Sequence, residues 1–434
     1  MAPTQAMRTI RQQITHRPVV SEWFTTTQHL YNAVVRHFFE VLQAHPGVLD
    51  LSEKDALKAL ERLTHQTKAN PNPVMPLSEI APQVPAMLRR AAIHAALGSA
   101  RSFQSHLARW RVAKAKAAAR GKPFHLRPPV PPRRWNRSVT LYQGMWKCKT
   151  KTSIVLKLYD GTSWRWVRFE LSAQDIPEGW ERGSPQIVRK GKRWWLHTPL
   201  THAMERPKKV ETQVRLNPEV RLCSVDLNIT HALAVATILD ANGTALATTF
   251  IHGGKVLHDR RRRQLGRIAR NRRKTGIIEA GVQDNQARWE KIRHLDEDTA
   301  HRVSRRLVDF AVAHGASLLV FEQLGHFRPQ QGSYSKRGNE KRAYWLRGKI
   351  FTDARYKAWN QGIVTCRVSP RDTSRRCAQC GALVARYDEA HPAEGYTPGA
   401  PLFLCTNPDC RKQGNADRNA AENIGKRLLS RYAT

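Results

Sequence analysis

Long hydrophobic runs are absent from this 434-residue chain, and no secretory leader opens it. A membrane-spanning helix needs about 20 largely apolar residues in a row, so we expect no membrane span and a cytoplasmic location. Acidic residues are also scarce: 35 Asp and Glu stand against 73 Lys and Arg, a net charge of +38. Such a surplus needs a polyanionic partner, and nucleic acid is favoured. The alternative is a generically basic protein such as a ribosomal component, which would usually be shorter.

Cysteine is rare too, with seven in the chain, but four of them form two close pairs. Cys377 and Cys380 have the spacing C-x2-C, and Cys405 and Cys410 the spacing C-x4-C. Four thiolates at these spacings suit a closed tetrahedral Zn²⁺ site of structural type, and Gly381 allows the tight turn. The alternative is redox activity of the C-x-x-C pair, which the second pair disfavours.

The N-terminal half changes its hydrophobic period along the chain. Residues 7–15 alternate loosely and predict one strand, whereas apolar spacings of three and four predict helices from about residue 19. A proline-rich basic segment, residues 121–135, predicts a stiff connector. From about residue 136 to 215 the period is two, which predicts a small antiparallel barrel or sheet with hairpin turns at Asp160-Gly161 and Lys190-Gly191-Lys192.

Two features of the sequence predict contacts with nucleic acid. In the predicted sheet, the aromatic residues Trp164, Trp166, Trp194 and Trp195 are interleaved with Arg and Lys, an arrangement that suits stacking on bases. For any single one of them, a place in the core is an equally good alternative. Residues 259–274 hold nine basic residues in sixteen, and we favour a contact with a phosphate backbone over a merely solvated helix face. The nine are Arg260, Arg261, Arg262, Arg263, Arg267, Arg270, Arg272, Arg273 and Lys274.

The C-terminal half predicts an RNase H-like order of elements. Three strands between about residues 222 and 253 precede a long amphipathic helix, which ends at His314 and Gly315. A short apolar run, residues 317–324, then predicts a buried strand, and the chain closes with the cysteine segment and a last helix.

Three carboxylates lie within or at the ends of these elements. Asp226 is inside an apolar strand, Glu322 ends another, and Asp417 begins the last helix. Each has an ordinary alternative: a turn residue, a partner for an arginine and an N-cap, respectively. Together, however, they can converge, and phosphodiester cleavage by two divalent metals about 4 Å apart needs such a cluster of oxygen ligands.

Three segments resemble the RuvC motifs of transposon-encoded TnpB nucleases and type V CRISPR effectors. They are CSVDLNITHALA (223–234), LLVFEQL (318–324) and GNADRNAAENI (414–424). The cysteine segment between the last two is similar to the zinc ribbon that these families insert there. The resemblance covers roughly residues 216–434, and the N-terminal half only in layout. One departure is Asn228, where relatives usually have glycine.

The resemblance implies an α+β multidomain fold. It would combine an RNase H-like (RuvC) domain carrying an inserted zinc ribbon with an N-terminal helical recognition domain inserted in a small β-barrel, the wedge domain. The implied boundaries are 1–18 for a wedge strand, 19–130 for the recognition domain, 131–215 for the wedge barrel, 216–370 and 412–434 for the two nuclease parts, and 371–411 for the target-nucleic-acid-binding zinc ribbon.

The same resemblance implies an RNA-guided DNA endonuclease of a prokaryotic cytoplasm. A guide RNA would pair with target double-stranded DNA beside a short flanking motif, and Asp226, Glu322 and Asp417 would hold the catalytic Mg²⁺. The protein would act as a monomer or dimer in a ribonucleoprotein. Two alternatives stay open: an RNA-guided effector that binds DNA with weak or no cleavage, and a transposition accessory protein or resolvase that acts without RNA.

A basic segment near the second motif is expected to form a flexible loop, which in the family would be a lid over the active site. Its basic residues are Lys336, Arg337, Lys341, Arg342 and Arg347.

Overall fold

The computed structural model has a mixed α/β fold in two compact units, Met7–His202 and Ala203–Thr434 together with Met1–Ala6. Its described residues are 4–81, 83–205, 207–229, 232–276, 284–325, 329–330, 332–333, 335–389, 395–397 and 399–432. Among their helices, none has both the length and the apolar character that crossing a membrane requires.

Helices dominate the first part of the N-terminal unit, as predicted. They are α1 (Pro18–Ala44), α2 (Glu53–Thr64) and α3 (Ala86–Ala118), with short 3-10 helices at Pro46–Asp50 and Leu77–Glu79. Ser52 caps α2, because its hydroxyl accepts a hydrogen bond from the Asp55 backbone N–H at 3.2 Å. Residues 122–138 contain no helix or strand, in agreement with the predicted connector.

The same unit contains an eight-stranded sheet. Its strands are β1 (Thr4–Thr15), β2 (Val139–Thr140), β3 (Trp146–Lys147), β4 (Ser153–Tyr159), β5 (Trp164–Leu171), β6 (Glu181–Arg182), β7 (Gln186–Lys190) and β8 (Arg193–Met204). The order is β2-β7-β8-β1-β5-β4-β3, and β6 pairs with β8. The predicted hairpin turns are present at Gly161 and Gly191, whose φ angles of 111° and 58° favour glycine.

Trp194 belongs to the core of this unit. It is 1% exposed, its ring stacks on Phe24 with 5.2 Å between centroids, and its Nε1 donates to Ser21 Oγ at 3.2 Å. The prediction that Trp194 contacts nucleic acid is therefore wrong. Successive strand residues point to opposite faces, so Trp195 lies on the other face of β8, half-buried, and its contact stays a prediction.

The C-terminal unit is built on a five-stranded sheet of order β11-β10-β9-β12-β13, in which β9 pairs antiparallel with β10 and parallel with β12. The strands are β9 (Leu222–Leu227), β10 (Ala232–Leu239), β11 (Ala245–His252), β12 (Leu318–Glu322) and β13 (Val364–Val368). Around them lie α4 (Val210–Leu216), α5 (Gly254–Thr275), α6 (Gln286–Ala313), α7 (Lys336–Ala343), α8 (Arg347–Trp359) and α9 (Ala416–Tyr432). The predicted order of strands and helices is present, and α4, α7, α8 and β13 are additions to it.

The segment expected to be a flexible basic loop is partly helical. Residues Lys336–Ala343 form α7, and the Ser335 hydroxyl caps it by accepting from the Gly338 N–H at 3.1 Å. Arg347 begins α8, where its Nε donates to the Leu324 carbonyl at 3.0 Å. The expectation of a loop is therefore wrong for these residues, because a serine cap and alanine and basic helix formers stabilise a turn of helix.

The two faces of the five-stranded sheet pack against different helices. On one face, odd-numbered residues of β9 and β12 such as Val225 and Phe321 share a core with residues of α6 and α8. On the other, Leu222 and Val320 pack against Ile424 of α9. Because side chains alternate along a strand, positions 226 and 322 belong to this α9 face.

A small three-stranded sheet carries the cysteines. It consists of β14 (Val384–Tyr387), β15 (Leu402–Cys405) and β16 (Gln413–Asn415), in that order, and both pairings are antiparallel. We call residues 371–411 with this sheet the ribbon. It leads directly from β16 into α9.

Candidate active site and metal centre

Asp226 is a carboxylate embedded in the sheet. It is 8% exposed in β9. Burial, followed by the negative charges of Glu322 and Asp417, raises its pKa well above the usual 3.8. Asn228 opposes this, because its Nδ2 donates to Asp226 Oδ2 at 3.0 Å and so favours the charged form. The site around Asp226 therefore has an excess of negative charge.

Glu322 lies beside Asp226 at the ends of two parallel strands. The register pairs Leu319 with Cys223 and Phe321 with Val225, so Glu322 and Asp226 come next on each strand. Burial raises the pKa of Glu322, while a hydrogen bond from the Thr373 hydroxyl and the charge of Arg427 lower it. The hydrogen-bond partner is therefore a hydroxyl rather than the arginine of the alternative interpretation.

Asp417 lies in the first turn of α9 but does not cap it. The cap is Asn415, whose Oδ1 accepts from the backbone N–H groups of Asp417 and Arg418, each at 3.0 Å. The Asp417 carboxylate instead forms an ion pair with Arg386, with 2.8 Å between Nη2 and Oδ1. The N-cap interpretation of Asp417 is therefore wrong, because the side chain that caps α9 is that of Asn415.

Arg386 is a site residue that the sequence analysis missed. It lies in β14, its side chain is 9% exposed, and its Nε donates to the Ala400 carbonyl. Its charge also lowers the pKa of Asp226, so one guanidinium acts on two of the three carboxylates. Arg386 lies between the two cysteine pairs but belongs to no recognisable motif. Nothing in the local sequence distinguishes Arg386 from the neighbouring arginines.

The three carboxylates act on one another electrostatically at one end of the sheet, but they are more widely spaced than a closed ligand set. Among the described residues, only the four cysteines form a group of three or more His, Cys, Asp or Glu ligand atoms within 4.8 Å of one another. Hard oxygen donors fit a divalent cation such as Mg²⁺, because the cation would neutralise the negative charges of Glu322 and Asp417 that, after burial, raise the pKa of Asp226.

Open space adjoins the carboxylates. Asp417 and Arg386 line a cavity of about 290 Å³, which we call the carboxylate cavity, together with Phe250, His252 and Trp345. Glu322 lines a smaller cavity of about 80 Å³. Leu227, the last residue of β9, lines both cavities.

The four cysteines form a compact thiol cluster in the ribbon. Their sulfur atoms lie within 4.8 Å of one another, with 3.8 Å between those of Cys377 and Cys410 and 3.4 Å between those of Cys380 and Cys405. Zinc–sulfur bonds of about 2.3 Å in a tetrahedron place sulfurs about 3.8 Å apart, so this set fits Zn²⁺. Without a metal, a backbone hydrogen bond lowers the pKa of Cys380 to about 7, whereas burial raises the pKa of Cys405 to about 12.

The turn after the first cysteine pair has the geometry that the sequence predicts. Gly381 adopts a φ of 78°, and its N–H donates to the Cys377 carbonyl at 2.9 Å. This places the thiols of Cys377 and Cys380 on the same side of a tight turn.

The arginine-rich segment forms α5, and one of its nine predicted contact residues is buried. Arg261 is 5% exposed, pairs with Asp296 and lies over the Tyr344 ring at 5.0 Å. Its predicted contact with nucleic acid is therefore wrong, because position 261 follows Leu257 by one helical turn and faces inward. The other eight are exposed, although Arg272 also pairs with Asp284 at 2.6 Å, and their contacts stay predictions.

Comparison with known proteins gives two family matches within the chain. Residues 348–424 match the Cas12f1-like TNB domain, and residues 8–160 match the Aq_aa04 family. TnpB-like protein aq_aa05 of Aquifex aeolicus (strain VF5) is 28% identical over 251 residues, which cover 55% of this chain and 76% of that protein. The CRISPR-associated endodeoxyribonuclease Cas12f1 of Sulfoacidibacillus thermotolerans is 28% identical over 224 residues. This match spans 49% of the chain and slightly less than half, 47%, of that relative.

Solved structures share the fold. A Cas12f1-sgRNA-target DNA complex matches with a TM-score of 0.51 at 14% identity, covering 94% of this chain and 82% of that one. A Cas12i-crRNA-dsDNA complex matches with a TM-score of 0.50 at 10% identity, covering 94% of this chain and 66% of that one. At such identities the likeness concerns the fold alone. Together with the sequence relatives, it confirms the resemblance to the TnpB and type V group.

Proposed function

We propose that this relative of the TnpB-like and Cas12f1 proteins is an RNA-guided DNA endonuclease. The observation that carries the proposal is Asp226, whose pKa is raised by burial and then by the charges of Glu322 and Asp417 at one end of the sheet. Such a set of carboxylates is typical of phosphodiester hydrolysis with divalent metal. The strand order of the five-stranded sheet supports an RNase H-like (RuvC) assignment of this unit.

Asp226, Glu322 and Asp417 would hold Mg²⁺, which when bound supplies an activated water and stabilises the leaving oxygen by two-metal catalysis. The surrounding residues of the chain keep these ligands in place. Asn228 orients Asp226, and the Thr373 hydroxyl orients Glu322. Arg386 neutralises Asp417 and, once a metal takes over that role, its guanidinium would be free to bind a phosphate of the substrate.

The partners in this proposal are a guide RNA and target double-stranded DNA. The net charge of +38 and the eight exposed basic residues of α5 suit binding of phosphate backbones. Base pairing with the guide would read the target, and the N-terminal unit would recognise a short flanking motif. The recognition and wedge boundaries at residues 19–130 and 131–215, the structural zinc in the ribbon, and a monomeric or dimeric ribonucleoprotein belong to the same proposal.

The test uses the full chain purified with its RNA, a matching DNA duplex and Mg²⁺. Asp226→Ala should abolish cutting but keep guide-dependent binding, whereas the control Asp309→Asn, which changes an exposed carboxylate of α6, should cut like the parent. If Asp226→Ala cut as fast as the parent, the catalytic assignment would be wrong.

Two further outcomes would replace the proposal. Persistent guide-dependent binding by the parent without nicked product would favour a binding-only effector. Purification without a discrete small RNA, combined with guide-independent action on DNA, would favour the transposition accessory protein or resolvase. Sequencing the copurified RNA distinguishes the second case from the first.

A further inference from the structure

Another cavity lies beside the carboxylate cavity, between α5, α6 and the ends of β10 and β11. Its volume is about 230 Å³, and we call it the arginine cavity. Leu257, Leu295 and Val303 give it apolar walls, and Arg260, Arg302 and Arg306 bring three guanidinium groups to it. No acidic side chain is among its described lining residues. Its chemistry is therefore both apolar and cationic.

Two of the three arginines are available for a ligand. Arg260 and Arg306 are exposed, and neither has an ion-pair or hydrogen-bond partner within the described part of the chain. Arg302 differs, because it pairs with Asp298 one helical turn away at 3.1 Å. Two unpaired guanidinium groups beside apolar walls suit a ligand with a phosphate and a flat apolar surface, which is the chemistry of a nucleotide.

The two cavities meet at His252, which lines both of them. Phe250, two residues earlier on the edge strand β11, lines the carboxylate cavity and is 38% exposed. The rings of Phe250 and His252 lie nearly parallel, at 11°, with 6.2 Å between centroids. A strand of nucleic acid could therefore pass from Asp417 along these rings to the arginines without leaving lined surface.

We propose, on the basis of the nuclease function above, that the arginine cavity is a nucleotide-binding subsite for the DNA strand held at the carboxylates. Arg260 and Arg306 bind a phosphate of that strand, its base lies against Leu257 and Leu295, and Phe250 and His252 stack on a base between the subsite and Asp417. The ligand is the DNA strand rather than the guide RNA, because the cavity shares His252 with the space at Asp417.

The first test measures binding of single-stranded DNA by full-length protein that carries Asp226→Ala and its guide. Arg260→Gln combined with Arg306→Gln should reduce the slope of log affinity against log salt by about 0.7 for each phosphate that the variant no longer neutralises. The matched control is Lys255→Gln with Arg305→Gln, which removes the same charge from the same two helices at positions outside the cavity. A smaller slope for the cavity pair alone is the expected result, and equal slopes for the two pairs would overturn the subsite.

The second test identifies the strand. A photoreactive 5-iodouracil in the DNA, placed near the cut site or scanned along the strand, should crosslink to the peptide containing Phe250 and His252. Phe250→Leu combined with His252→Leu should reduce this crosslink at least about fivefold, given that stacking contributes roughly 1–3 kcal/mol per base. Leu246→Ala, an exposed change on the same strand, should leave it unchanged. Crosslinking of this peptide to labelled guide RNA instead of DNA would overturn the proposal.

Neither test depends on cutting, so the two proposals fail separately. If the parent cuts DNA but the cavity variants match their controls in binding and crosslinking, the subsite proposal is wrong and the nuclease proposal stands. If the parent never cuts DNA but the cavity variants show the expected smaller salt slope and weaker crosslink, the nuclease proposal is wrong and the subsite proposal stands.

Discussion

The guanidinium of Arg386 lies 2.8 Å from the carboxylate of Asp417, and this contact joins the ribbon to the first turn of α9. Both side chains are largely withdrawn from water, at 9% and 17% exposure. An ion pair in such a place is harder to screen than a surface pair, and removing one partner leaves a buried charge. The ribbon thus contributes directly to the electrostatics of the carboxylates, in addition to the structural role that its thiol cluster would have with zinc bound.

Removing Arg386 should change the pH dependence of cleavage. Its charge lowers the pKa of Asp226, so Arg386→Gln should raise that pKa further and move the acidic limb of the rate profile to higher pH. Arg386→Lys keeps the positive charge and should return the acidic limb most of the way to its position in the parent. The measurement is the single-turnover cleavage rate against pH, and a profile of Arg386→Gln that coincides with the parent's would contradict this role.

Replacing Asp226 should stabilise the protein when divalent ions are absent. The pKa of Asp226 is raised above 3.8, so the folded protein holds this proton more tightly than the unfolded chain. Its contribution therefore favours folding at low pH and is lost as the pH rises from 3.8 through the raised pKa. At neutral pH Asp226→Asn should raise Tm by roughly 2–4 °C for each 1 kcal/mol of relieved repulsion.

Magnesium supplies the control for this change. The parent should gain Tm on addition of Mg²⁺, because the ion binds the folded state, and Asp226→Asn should gain much less. Calorimetry with and without Mg²⁺ measures both effects. An equal gain in the two proteins would show that Asp226 does not hold the ion.

Gly425 should be intolerant of alanine. A Cβ at this position of α9 would overlap Leu239 Cδ1 and lie 2.8 Å from Leu222 Cδ1, because the helix approaches the sheet closely there. Gly425→Ala should lower the free energy of unfolding by about 1–3 kcal/mol and, by displacing the helix that carries Asp417, slow cleavage. Gly266→Ala, on α5 with open space around it, should instead gain up to about 1 kcal/mol. Urea denaturation measures the free energy of unfolding of both variants, and a Gly425→Ala protein as stable as the parent would contradict the close approach of α9 to the sheet.

Loss of zinc should loosen the ribbon before the rest of the unit unfolds. Cys377→Ser removes one of four thiols, so bound zinc should fall from one ion per chain towards none, and proteolysis should begin within residues 371–411. Cys148→Ser, which changes an exposed cysteine of the N-terminal unit, is the control. Metal analysis and limited proteolysis are the measurements. Full zinc content in Cys377→Ser would contradict the four-thiol site.

Arg261 and Arg260 should behave differently although they are neighbours. Arg261→Gln leaves Asp296 buried without its partner, which should cost about 3–5 kcal/mol of stability. Arg260→Gln changes an exposed side chain and should stay within about 0.5 kcal/mol of the parent. Thermal unfolding distinguishes the two, and equal stability of the variants would mean that the Arg261 and Asp296 pair is not needed for folding.

The sequence by itself predicted the main elements and the candidate ligand residues. Periods of two and of about 3.6 depend only on neighbouring residues, so they predicted β9 to β12, the long helices α1, α3 and α6, and the turns at Gly161 and Gly191. The cysteine spacing predicted one thiol cluster because a tight turn and a short strand pairing bring those sulfurs together. Asp226 and Glu322 were recognisable because carboxylates are costly in apolar strands. Asp417 was recognisable by its place at the start of the last helix, in a segment that resembles a RuvC motif.

Tertiary structure alone decided which face of each element is buried and which distant residues meet. Trp194 and Arg261 looked like their neighbours in sequence, and only the packing of β8 on the N-terminal core and of α5 on α6 turned them inward. Arg386 meets Asp417 across 31 positions of the chain, and His252 joins two cavities that different elements enclose. Local patterns determine elements because their cause is local, whereas pairings of this kind arise only when separate elements come together.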